Sequence, residues 1–75
     1  MQLSELSVGQ KAKITSVSGG DKAYRQRLVA MGLIPGTTLT VTRMAPFGDP
    51  VEIAVRGTSL TLRKHEAHIL QLELL

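Results

Sequence analysis

Side chains able to do chemistry are few in this chain, and most stand alone. His65, Glu66 and His68 are the one place where metal ligands gather. At i and i+3 the two imidazoles would share a helical face. A tetrahedral or octahedral site needs further donors, themselves held by hydrogen-bonded neighbours. Asp49 or Glu73 would have to come from distant parts of the chain to supply them. The spacing leaves His65 and His68 as weak metal candidates, and a polar turn with solvent-facing histidines as the simpler reading. Neither a metal site nor a cofactor is expected.

Catalysis finds no support. No serine, histidine and aspartate fall into a legible triad, no glycine-rich loop cradles a phosphate, and no carboxylate has a matched partner. Gly19-Gly20 is only a dipeptide. The absence of cysteine excludes a thiol nucleophile, thiolate ligands and disulfides, and fits a reducing compartment. An enzyme is not expected.

Binding chemistry is a better prospect. A net charge of +3 is compatible with anionic neighbours, yet the basic residues are scattered and form no block. Strand-binding barrels use aromatic platforms on a basic groove. Here Tyr24 and Phe47 are the only aromatics and lie on separate elements, so nucleic acid is not the expected partner. The stretch Met44–Pro50 is harder to set aside. Pro46 and Pro50 stiffen it, Asp49-Pro50 favours a turn, and Phe47 is its largest side chain. Either it packs back as a lid on the barrel end or it offers an anchor to a partner.

The elements that must carry these residues are mostly strands. "LSELSVGQ" predicts a short turn that docks Leu3 and Leu6. "KAKITSV" alternates, with Ala12 and Ile14 on one face, until Val17 breaks the pattern and announces a bulge or strand end. The one good helix follows, capped by Asp21, with Tyr24, Leu28 and Met31 on one face. "MGLIPG" then punctuates the chain. Gly32 takes the positive φ past the last helical turn, Leu33 folds back onto it, and Pro35-Gly36 suits a type II turn.

Beyond Thr38 the alternation is that of strands: "TTLTVTR", "VEIAV", "SLTLR" and "ILQLELL". Pairing Val41 with Ile53 and Leu39 with Val55 leaves "MAPFGDP" as the connection. Pairing Val55 with Leu60 and Ile53 with Leu62 leaves Gly57-Thr58 as a type II′ turn and sets Glu52 opposite Arg63. Arg56 is left without an obvious partner. The pattern predicts a mostly β fold: a small five-stranded SH3-like barrel, with one short α-helix between its first and second strands. One domain, residues 1–75, is expected. No apolar run nears the ~20 residues that span a bilayer, and the N-terminus lacks the marks of a secretory signal. A cytoplasmic location is the expectation.

The run "YRQRLVAMGLIPGTTLTVTRMAPFGDPVEIAVRGTSLTLRKHEAHIL" resembles the FeoA family. The arginine-leucine helix, the M-G-L-x-P-G turn, the R-x-A-P-x-G-D-P loop, the R-G strand end and the L-R-K segment stand in family order. Phe47 is a mild departure, at a position where a smaller aliphatic residue is expected. The resemblance implies an SH3-like barrel with helical decoration, acting as an accessory of bacterial ferrous iron uptake. Its implied partner is the FeoB transporter, touched at its cytosolic face, with the membrane met only through that transporter. The same domain occurs at the C-terminus of metal-dependent repressors, but no DNA-binding helix-turn-helix precedes it here. Alternatives are a small basic barrel that binds nucleic acid and a metal-sensing domain. The surface expected to meet the partner comprises Met31, Leu33, Ile34, Pro35 and Gly36, the loop Pro46, Phe47, Gly48, Asp49 and Pro50, and Arg56.

Overall fold

A computed structural model describes residues 1–75. A 3-10 turn, Leu3–Glu5, precedes β1 (Lys11–Val17), α1 (Lys22–Ala30), β2 (Thr38–Met44), β3 (Val51–Val55), β4 (Thr58–Leu62), α2 (Lys64–Ala67) and β5 (Leu70–Leu74). The strands form one five-stranded sheet in the order β4-β3-β2-β1-β5. All neighbours run antiparallel, and the last strand lies beside the first, as expected. The edge strands β4 and β5 are not hydrogen-bonded to one another, so the barrel is open along that seam. The 3-10 turn packs on α2 and β5 there. The Met1 carbonyl accepts from the Leu72 N–H at 2.8 Å, and the Gln2 side chain donates to the His68 carbonyl at 3.3 Å.

Alternation decides which side of the sheet is dry. Ala12, Ile14, Leu39, Val41 and Ile53 are fully buried, and Leu28 of α1 and Leu33 close over them. Burying each of the leucine, isoleucine and valine side chains contributes roughly 1.5–3 kcal/mol before the entropy of ordering is subtracted. The ladder of β1 with β5 slips between Ile14 and Ser16, which is the bulge announced by Val17. Alternation along "ILQLELL" would set Leu74 inward with Leu70 and Leu72, yet it ends β5 at 45% exposure, because the core does not extend to the end of that strand.

Between β2 and β3 the register is the expected one, Val41 opposite Ile53 and Leu39 opposite Val55. The next hairpin is not. Val55 pairs with Thr58, Ile53 with Leu60 and Val51 with Leu62, so the turn is Arg56-Gly57 rather than Gly57-Thr58. Both turn residues have positive φ, 51° and 77°, as a type I′ turn requires. Glu52 therefore faces Thr61, not Arg63, and has Arg43 opposite it on the other side. Arg63 lies beyond the strand as the cap of α2.

Candidate partner-docking surface

The helix end is built as its residues dictate. Asp21 caps α1 by accepting from the Ala23 N–H at 3.3 Å, and the Arg25 guanidinium holds the carbonyls of Gly19 and Gly20 at 2.7 and 2.8 Å. At the other end Gly32, at φ 95°, lets its N–H reach the Val29 carbonyl while the Leu33 N–H reaches that of Leu28. These two bonds make a Schellman stop. Thr37 N–H then returns to the Ile34 carbonyl at 3.1 Å across Pro35-Gly36, with Gly36 at φ 93°, the expected type II turn. Gly36 N–H and the Thr37 carbonyl bond both polar groups of Ile14, which fastens the turn to β1.

This arrangement sorts the expected partner-facing residues. Leu33 is fully buried, so it belongs to the core and cannot meet a partner. Its packing on the last helical turn is what a Schellman stop requires of that position. Met31, expected on the buried face of α1, is instead 39% exposed, since it caps the helix and points past the core. Ile34 is half-buried, and Pro35 and Gly36 are exposed. Arg56 does have a partner. Its stem lies 3.5 Å from where a Gly32 Cβ would stand, and its guanidinium is 3.5 Å from the Thr37 hydroxyl. Arg56 and Met31–Gly36 thus form one patch.

The loop 44–50 lies at the far end of the same hairpin. β2 runs from Thr38 beside the first patch to Met44, and at ~3.3 Å per residue the two ends are about 20 Å apart. Gly48, at φ 80°, donates to the Ala45 carbonyl at 2.7 Å, and the Ala45 N–H donates to that of Pro50 at 3.1 Å. Asp49 is turned inward: its Oδ1 accepts from the Lys64 N–H at 2.9 Å and so caps α2. The Lys64 side chain runs back across the loop, with Cε and Nζ each 3.7 Å from where a Gly48 Cβ would stand. Phe47, at the tip, is 92% exposed. The lid alternative is thereby removed.

His65 sits in the short helix α2 and His68 is its C-terminal cap, where a plain turn is the simpler reading of the sequence. His65 and His68 are exposed and, with Asp21, Tyr24, Glu66 and Ile69, line a cleft of about 180 Å³ between α1 and α2. Glu66 is already engaged. The Tyr24 hydroxyl beside it, and then the Arg63 N–H from which it accepts at 3.1 Å, hold its carboxyl below the usual carboxylate range. Burial, then the bond to Glu66, pushes the Tyr24 hydroxyl up to about 12. The Arg27 guanidinium lies 5.6 Å from the Tyr24 ring centroid. No three histidine or carboxylate side chains converge as metal ligands. Two features escaped the sequence: the cap that Asp49 gives to α2, and Lys64 lying over Gly48. Both join residues about fifteen positions apart, beyond the reach of local capping rules.

The geometry has counterparts. The family model described as FeoA domain matches residues 1–74. A Fe(2+) transport protein A/Fe(2+) transporter FeoB fusion protein of Porphyromonas gingivalis is 37% identical over the full chain, which spans 9% of that protein's length. Among solved structures, the FeoA protein of Chlorobium tepidum is 44% identical at a TM-score of 0.89, covering 100% of this chain and 70% of that one. Stenotrophomonas maltophilia FeoA complexed with zinc, described as an SH3 domain protein, is 29% identical at a TM-score of 0.85, covering 97% and 89%. A match over almost every residue leaves one assignment: the chain belongs to the FeoA domain family.

Proposed function

We propose that this domain is a non-enzymatic, cytoplasmic accessory of ferrous iron uptake that works by docking on the FeoB transporter. The observation that carries the reading is the relative in which an FeoA-like segment and FeoB occupy one polypeptide. Fusing two partners raises their effective concentration for each other, so fused relatives point to separate chains that associate. Two further points support it. The chemistry is that of a binding module, with no nucleophile-base pair or converging ligand set. The surface offers Met, Arg and Phe on well-held turns, the residue types enriched at interfaces.

The docking residues proposed are Met31, Ile34, Pro35, Gly36 and Arg56 at one end, and Pro46, Phe47, Gly48, Asp49 and Pro50 at the other. The test is capture. Immobilised full-length chain should retain FeoB from detergent-solubilised membranes, with or without nuclease. Retention of nucleic acid alone, abolished by nuclease, would overturn the reading in favour of a nucleic-acid-binding barrel.

A further inference from the structure

Phe47 has no structural employment. Its ring is 92% exposed, so it contributes nothing to the core and costs solubility. Everything around it is nevertheless fixed. The turn Ala45–Gly48 is closed by its own hydrogen bond, the loop base by a second, and Asp49 pins the loop to α2 by a third. A ring on so constrained a support loses little freedom when it enters a pocket. The charge around it is basic in excess, three cations to two carboxylates. Lys64 lies against Gly48, and Arg43 and Arg63 are exposed at the two chain segments that support the loop. The nearby carboxylates are engaged: Asp49 by the Lys64 N–H, and Glu52 opposite Arg43 and within 3.4 Å of the Thr42 hydroxyl.

We propose that Phe47 is the anchor of the docking contact, and that the site receiving it on the transporter is an apolar pocket rimmed by carboxylates. Within that docking loop Asp49 also acts as a positioning residue for the anchor, because its Oδ1 fixes the loop on the N-terminus of α2. The proposal rests on the docking reading above and narrows it to one end of the molecule. An aromatic anchor with a cationic rim would also suit an anionic lipid surface. A rigid single ring favours a pocket, because shallow insertion of one side chain buries less of it than enclosure does.

The experiment measures binding of the full chain to FeoB in a neutral detergent, at low and high salt, with thermal melts alongside. Phe47→Ala should weaken binding by at least about tenfold without moving the melting temperature, as an enclosed anchor does. Lys64→Glu should weaken it at low salt by several-fold, and the difference should shrink at high salt as the rim charges are screened. Asp49→Asn should weaken binding less than Phe47→Ala does. The chain has no tryptophan, so Phe47→Trp gives a single emission probe within it, read as the difference from the same mixture with wild-type chain. Its emission should shift to the blue on FeoB and stay put on protein-free phosphatidylglycerol vesicles. Wild type and Phe47→Ala binding equally would sink the anchor and leave the docking reading standing. A blue shift on vesicles alone would reassign the loop to lipid. Failure of the wild type to bind FeoB at all would remove both.

Discussion

At the scale of single residues, most of what matters is decided by what each side chain already touches. The Tyr24 hydroxyl beside Glu66 and the Arg63 N–H from which it accepts hold its carboxyl below its ordinary range. A carboxylate whose pKa falls on folding adds stability above its unfolded value, and that stability is lost as pH falls through the folded value. Glu66→Gln should therefore be less stable than wild type near neutral pH, with the gap closing below the ordinary carboxylate range of about 4. Urea unfolding of both chains over that window checks it, and a gap constant with pH would refute it. Tyr24 has the opposite sense. Its folded value of about 12 means stability is lost as pH climbs from the ordinary phenol value of ~10 through that point. It is the only tyrosine, so phenolate absorbance reads its midpoint directly. Because Glu66 is occupied and the histidines stand exposed, tight metal binding is not expected. Calorimetry with ferrous iron or zinc should find no one-to-one site lost in His65→Ala; finding one would overturn this.

Elements show what alternation can and cannot fix. A strand's side chains repeat every two residues, so a slip of one residue exposes the core face and is forbidden. A slip of two keeps apolar side chains opposite apolar ones. That is why Ile53 opposite Leu62 matches the pattern as well as the true Ile53 opposite Leu60 does. The turn is the arbiter. Expecting positive φ only at glycine favours Gly57-Thr58, whereas Arg56 itself adopts φ 51°. An L-residue there costs about 1–2 kcal/mol, and asparagine tolerates it better. Arg56→Asn should accordingly raise stability by about 0.5–1 kcal/mol, since the hydrogen bond it removes, from Arg56 to the Thr37 hydroxyl, is long at 3.5 Å. A lower urea midpoint in the variant would show that this bond outweighs the relief of the turn. The start of the helix and its stop are legible because Asp21, Gly32 and Leu33 act on neighbours within six residues, while the exposure of Met31 is not. The site is legible only as a set of residue types. That Phe47 stands outside while Leu33 lies inside depends on packing across the chain, which spacing does not encode.

Across the whole molecule, a single cluster of 16 buried residues draws on every element from the 3-10 turn to β5. Domains of this size hold a net stability of only ~3–5 kcal/mol. Such a core has no subdomain to fall back on, so unfolding should be all-or-none. Two large apolar side chains then make a sharp comparison. Leu33 is fully buried where the helix stop, the type II turn and β1 meet, and Phe47 projects from the opposite end of the β2–β3 hairpin. Truncating a buried leucine costs about 2–5 kcal/mol, and truncating an exposed ring stays within about 0.5 kcal/mol. Leu33→Ala should hence be largely unfolded near 25 °C, losing FeoB capture together with its cooperative melt. Phe47→Ala should melt like wild type and lose capture alone. Circular dichroism melts beside the capture assay separate the two cases, because loss of binding through unfolding and loss through a missing anchor have different thermal signatures. A Leu33→Ala chain that still melted cooperatively at the wild-type temperature would mean that the core does not close over this residue, and the single-cluster account of stability would fall with it.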